Sequence, residues 1–212
     1  MSDELVFYTN PMSRGRIVRW MLEELGQPYR TEVLDYGTTM KAPEYLAVNP
    51  MGKVPAIRHG DVVVTEVAAI CAYLADAFPE AGLAPPPTDR LRATYYRWMF
   101  FTAGPTEAAV TNKSLGIVPS DEQRRMVGYG SLDEVMNALE RAVSGREYIV
   151  GDRFTAADVY VGSHIGWGIR FGSFEPRPAF QSYLAGIMRR PAAVRANEID
   201  DALIAAAKQP AS

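Results

Sequence analysis

The sequence predicts an α/β domain followed by an all-α domain. Three observations carry this. Residues 1–78 show short apolar runs and helical periods in the order β-α-β-(α)-β-β-α. Residues 79–88, Pro-Glu-Ala-Gly-Leu-Ala-Pro-Pro-Pro-Thr, cannot continue a helix and read as a linker. Residues 89–212 contain no convincing alternating strand, only helical patterns, and are expected to form a helical bundle.

The elements follow in order. Leu5-Val-Phe-Tyr8 reads as a buried strand, and Thr9–Ser13 as a turn. Ile17, Val18, Met21, Leu22 and Leu25 recur at helical spacing, and Gly26 and Pro28 stop that helix. A second strand is expected around Arg30–Leu34, then a short helical or irregular connection over 42–48. Val54–Arg58 and Val62–Thr65 form a hairpin about His59-Gly60-Asp61. Val67, Ile70, Cys71, Leu74 and Phe78 mark one face of the next helix. Beyond the linker, helical patterns cover 89–113, 120–144, 155–170, 178–188 and 191–207. Thr155-Ala-Ala-Asp158 has the spacing of a capping box.

Composition narrows the class. Apolar residues make up 48% and charged residues 22% of 212 residues, as in ordinary globular proteins. A net charge of -3 disfavours a nucleic-acid partner. No apolar run approaches the ~20 residues of a membrane span, and the acidic start Met1-Ser2-Asp3-Glu4 is unlike a signal peptide. Cys71 is the only cysteine, so no internal disulfide can form, which fits a reducing cytoplasm. His59 and His164 lie in no metal-ligand spacing, and no metal site is expected.

The most specific segment is Asn49-Pro50-Met51-Gly52-Lys53-Val54-Pro55-Ala56-Ile57. Proline at the start of a strand removes a ladder donor. Either this is a plain turn, or the Val54–Pro55 bond is cis and the backbone before it can pair with an extended peptide-like ligand. A second segment, Val64-Thr65-Glu66-Val67-Ala68-Ala69-Ile70, opens a helix. Its first amides suit a carboxylate. A third, Tyr8-Thr9-Asn10-Pro11-Met12-Ser13-Arg14-Gly15-Arg16, places hydroxyls before the first helix.

On these segments, and on Phe154-Thr155-Ala156-Ala157-Asp158, the whole chain resembles the glutathione S-transferases, most closely a bacterial-like, serine-type subgroup. The resemblance implies a thioredoxin-like first domain. Val54, the residue before the proline, would pair with the cysteinyl backbone of glutathione, with Lys53 and Pro55 beside it in the glutathione site. Glu66 and Val67 would receive the γ-glutamyl end, Glu66 holding its ammonium or else merely stabilising its helix. A hydroxyl, Ser13 in preference to Tyr8, would stabilise the thiolate. The family's Ser beside the Glu is replaced here by Val67, which removes one contact to the ligand carboxylate.

In the helical domain, Arg97–Glu107 looks like a bacterial subgroup's first long helix. Phe101, Glu107, Trp167 and Phe171, with Met12, are the candidates for a second-substrate pocket. The implied reaction is conjugation of glutathione, a co-substrate with no further cofactor, to a small hydrophobic electrophile. The implied assembly is a homodimer. The alternative is a binding or regulatory protein of the same fold that has lost catalysis. A dithiol oxidoreductase is excluded, since there is no Cys-x-x-Cys. A glutathione-dependent isomerase fits less well, because Met12-Ser13-Arg14-Gly15 stands where that class carries Ser-Ser-Cys.

Overall fold

A computed structural model describes residues 4–208. The acidic start at 1–3 and the end of the expected helical domain, 209–212, lie outside the described residues. The chain divides into two compact units. One holds the residues up to Gly82 together with those from Arg190 onward, and the other is Leu83–Arg189.

The first unit is built on four strands: β1 (Leu5–Thr9), β2 (Arg30–Val33), β3 (Ala56–His59) and β4 (Val62–Thr65). Their order in the sheet is β2-β1-β3-β4. β1 runs parallel to β2 with Phe7 beside Thr31, and antiparallel to β3 with Phe7 beside Ile57. The parallel pair requires a crossover, which α1 (Gly15–Leu25) supplies. The hairpin β3–β4 leads into α3 (Val67–Ala77). Between β2 and β3 lies α2 (Pro43–Leu46), a single turn.

Phe7, Ile17, Val18, Met21, Leu22, Ile57, Ile70 and Leu74 are fully buried and form the main core of this unit. Alternation along β1 and β3 sends Tyr8 and Ala56 to a smaller cluster with Met40 and Tyr45.

The final helix, α9 (Pro191–Ala207), belongs to this unit and packs on α1. Charge explains that placement. Arg19, fully buried on α1, donates to Asp200 at 3.3 Å, to the Tyr29 hydroxyl at 3.0 Å and to Thr31 at 2.8 Å. Arg190 forks onto both oxygens of Glu24, at 2.7 and 2.8 Å. Periodicity marks α9 as a helix, but its partner is set by ion pairs with residues about 170–180 positions away.

The second unit holds α4 (Leu91–Phe101), α5 (Glu107–Ser114), α6 (Leu132–Val143), α7 (Ala156–Arg170) and α8 (Pro178–Ile187). Buried residues line almost every side of α7, so it is the central helix. A Cβ on Gly162 would overlap the Ile187 side chain of α8.

Two helical expectations are corrected. The run 89–113 is not one regular helix, because α4 passes into α5 through a π-turn at Thr102–Thr106 that contains Pro105. Proline lacks the amide an α-helix needs and crowds the preceding turn, and the wider turn accommodates it. The helix expected over 120–144 begins only at Leu132. Before it stand only a 3-10 turn at Gln123–Arg125 and Gly130, whose φ of 66° a regular helix does not continue through. The true start is a capping box: Ser131 Oγ accepts the Glu134 N–H at 3.2 Å, and Glu134 accepts the Ser131 N–H at 2.7 Å.

Candidate functional site

Two turns of one construction flank the first unit's candidate residues. In Asn10-Pro11-Met12-Ser13, Asn10 Oδ1 accepts the Met12 N–H at 3.0 Å, and the Asn10 carbonyl accepts the Ser13 N–H at 3.0 Å. Asn10 Nδ2 donates to the Leu34 carbonyl at 2.8 Å, tying the turn to the end of β2. In Asn49-Pro50-Met51-Gly52, Asn49 Oδ1 accepts the Met51 N–H at 3.1 Å, and its carbonyl accepts the Gly52 N–H at 2.8 Å. Proline presets the second position of both turns, and the asparagine side chain closes a local ring that mimics the backbone.

The first turn presents Ser13 at the mouth of α1. The half-buried Ser13 hydroxyl donates to the Asn10 carbonyl at 2.7 Å and accepts the Gly15 N–H at 2.9 Å. It therefore serves as a cap, yet a lone pair remains. Its proton can also turn toward an anion without giving up the Gly15 bond. A Cβ on Gly15 would overlap Thr9 Oγ1 and stand 3.0 Å from Ser13 Oγ, so glycine permits this close seating of helix against strand. Tyr8 is half-buried, its ring 5.6 Å from that of Tyr45. Its hydroxyl has no hydrogen-bond partner among the described residues.

The second turn leads to Val54–Pro55, whose peptide is cis. Lys53 is exposed, Val54 half-buried and Pro55 buried. Regular pairing of β3 begins at Ala56, and the Val54 N–H has no partner among the described residues.

Glu66 joins β4 to α3 with φ 67° and ψ 121°. It is the only non-glycine residue with positive φ among those described. Such a conformation costs on the order of 1–3 kcal/mol, and strain of this kind concentrates at functional sites. Its side chain is exposed and its carbonyl accepts the Ile70 N–H at 2.8 Å, which starts the helix. Val67 is buried at 8% exposure, so its methyls serve the core.

In the second unit, Phe101 packs edge-on to Trp98 at 5.4 Å, Trp167 is half-buried and Phe171 is exposed. Glu107 leaves the π-turn and lies 3.6 Å from His164 Nε2 on α7. The structure thus brings Glu107 to a buried histidine that the sequence marks only by its lack of metal spacing. Ile117, Val118, Tyr129 and Leu132 line a cavity of about 250 Å³ with Lys113 at its edge, and none of these is a sequence candidate. Among the described residues no group of three metal-ligating side chains comes together, and no helix is long and apolar enough to cross a membrane.

Residues 12–77 match the family described as Glutathione S-transferase, N-terminal domain, and 91–191 match Glutathione S-transferase, C-terminal domain. The chain is 31% identical over 178 residues to glutathione S-transferase GST-4.5 of Xanthomonas campestris, covering 78% of this chain and 83% of that protein. It belongs to the glutathione S-transferase family.

Among solved structures, the chain is similar to the glutathione transferase of Methylococcus capsulatus, with 29% identity and a TM-score of 0.76 over 93% of this chain and 99% of the other. It is also similar to a sphingomonad glutathione S-transferase complexed with glutathione, at 26% identity and a TM-score of 0.75, over 92% and 98%. In this glutathione S-transferase, the N-terminal family match takes in Ser13, Lys53–Pro55, Glu66 and Val67, and Tyr8 lies before it. Tyr45 lies in the connection expected over 42–48, Asn49 opens the Asn49–Ile57 segment and Gly15 closes the segment before the first helix, but none of the three is a sequence candidate for the site. The repeated Asn-Pro-Met was a readable signal for the paired turns.

Proposed function

We propose that this glutathione S-transferase conjugates glutathione to small hydrophobic electrophiles, with Ser13 as the group that stabilises the thiolate. The observation that carries this reading is the state of the Ser13 hydroxyl, held by the Gly15 N–H at 2.9 Å with a proton free to turn from the Asn10 carbonyl toward an incoming sulfur. A free thiol titrates near ~8.5 and is mostly neutral at pH 7. A hydroxyl donor at a helix start favours the anion. The bound thiol loses its proton to solvent. The thiolate then attacks the electrophilic carbon, a C–S bond forms, and the electron pair leaves with the departing group or is protonated after addition. Holding both reactants together adds effective molarity.

The cysteinyl backbone pairs with Val54 beside Lys53 and Pro55, and the γ-glutamyl carboxylate meets the first amides of α3 with Glu66 facing the ammonium. Phe101, Glu107, Trp167 and Phe171 are the helical unit's candidates for the second substrate, and exposed Met12 is the apolar candidate next to Ser13. The assembly is a homodimer. Phe100 (70% exposed) and Tyr96 (42%) form an aromatic strip on α4 that this chain leaves uncovered. A reducing cytoplasm suits the one buried thiol, Cys71.

Turnover of an activated aryl halide with glutathione tests the reading. Retention on immobilised glutathione without any turnover would replace it with the non-catalytic alternative.

A further inference from the structure

Three consecutive carbonyls ahead of Pro55 are each taken by a side chain from the preceding segment. Lys41 Nζ donates to the Met51 carbonyl at 3.1 Å and to that of Gly52 at 2.8 Å. The Tyr45 hydroxyl donates to the Lys53 carbonyl at 2.5 Å, and Asn49 Nδ2 donates to the same oxygen at 2.8 Å. Tyr45 and Asn49 are each 4% exposed, whereas Lys53 itself is exposed. A surface loop can satisfy its carbonyls with water, so two buried side chains converging on one carbonyl do something water would not.

The Lys53–Val54 peptide is trans. In a planar trans peptide the C=O and the following N–H point in opposite directions. Holding the Lys53 oxygen toward Tyr45 and Asn49 therefore turns the Val54 N–H away from them. A carbonyl oxygen has two lone pairs, and here both are occupied by protein donors. Rocking this peptide breaks two hydrogen bonds at once. We propose that Tyr45 and Asn49 are positioning residues, which together aim the Val54 N–H as the donor for the carbonyl of an extended peptide ligand. Burial supports the role by pushing the Tyr45 hydroxyl up to about 12, so it remains a donor throughout the working range.

This inference rests on the reading that glutathione pairs at Val54, and the experiment separates the two. Calorimetry compares the parent with Tyr45→Phe, Asn49→Asp and the double variant. Asn49→Asp keeps an acceptor for the Met51 N–H and loses the donor to Lys53. Two ligands are used: glutathione, and an analogue whose cysteinyl–glycine amide is replaced by a trans alkene. Each single change is expected to weaken glutathione about 5- to 10-fold and the double about 50-fold or more. The analogue, which lacks the carbonyl, should bind parent and variants alike. The Val54 amide resonance should move in each variant while the melting transition remains cooperative.

Equal losses for both ligands would reduce Tyr45 and Asn49 to structural residues and overturn the inference. Unchanged glutathione affinity in the double variant would overturn it while leaving the site reading intact. A parent that binds no glutathione overturns both. Tyr45→Phe removes one oxygen and keeps the buried ring, so the comparison stands even if Asn49→Asp fails to fold.

Discussion

Asn10 and Asn49 occupy the same place in two turns of the same build. Each accepts the N–H of the methionine two residues on, at 3.0 and 3.1 Å, and each sends its amide to a backbone carbonyl at 2.8 Å. The Asn10 turn fixes where Ser13 stands, and the Asn49 turn fixes where Val54 stands. The proposed sulfur contact and the proposed backbone contact thus rest on one repeated device, made rigid by short-range bonds.

Ser13→Ala should raise the apparent pKa of the bound glutathione thiol and slow conjugation about 10-fold or more, consistent with losing a hydrogen bond to a charged group worth ~1.5–3 kcal/mol. Tyr8→Phe should do less, since the Tyr8 ring is engaged against Tyr45. Ultraviolet titration of the thiolate measures both. A shift in Tyr8→Phe alone would move the role to Tyr8.

At the start of α3, stability and affinity should separate. Glu66→Gly removes the cost of φ 67° and is expected to raise stability by about 1 kcal/mol. It should weaken glutathione by deleting the charge facing the ammonium, as Glu66→Gln also should. Thermal melting and calorimetry on the same samples test the pair. A glycine variant that binds like the parent would show that the strained residue has no part in binding.

Val67→Ser should bind glutathione several-fold tighter than Val67→Ala, a gain on the order of 1 kcal/mol from a restored charge-assisted bond. Because Val67 is buried at 8% exposure, both variants should lose roughly 1–2 kcal/mol of stability. Equal affinities in the two variants would place the γ-glutamyl carboxylate elsewhere.

Gly15→Ala should destabilise the fold by about 1–3 kcal/mol, because the added methyl overlaps Thr9 Oγ1. Thr9→Ala in the same chain should recover part of that loss by removing the oxygen. Denaturant titration of the two single variants and the double reads the coupling directly. Strict additivity would mean that the clash is absorbed somewhere other than Thr9.

Asp158 anchors the helical unit. It accepts the Ile149 N–H, the Thr155 N–H and the Tyr183 hydroxyl, at 2.8, 2.8 and 2.7 Å. Asp158→Ala should cost about 3–5 kcal/mol. Burial pushes this carboxyl up, against those bonds. The folded state then holds the proton more tightly than the unfolded chain. The group's contribution to stability therefore falls as pH rises from about 4 through the folded value and is flat above it. Asp158→Asn should remove that slope. A parent and variant with parallel stability–pH curves would contradict the assignment.

The sequence by itself determined the class and the order of the elements in the first unit, because these follow from local rules. An apolar run made β1, the turn at His59–Asp61 marked the β3–β4 hairpin, Gly26 closed α1, and Thr155–Asp158 opened α7. The Ser131–Glu134 box was equally readable and marks the true start of α6. What only the tertiary structure decided depended on distance in space. Arg19 and Asp200 are 181 residues apart, and their buried pairing assigns α9 to the first unit. The φ of 67° at Glu66 arises because a strand must turn directly into a helix there, which a glutamate does not announce. Tyr45, in the connection over 42–48, and Asn49, at the opening of the Asn49–Ile57 segment, were not site candidates until folding brought both onto the Lys53 carbonyl, since a hydrogen bond between side chain and backbone leaves no period in the sequence.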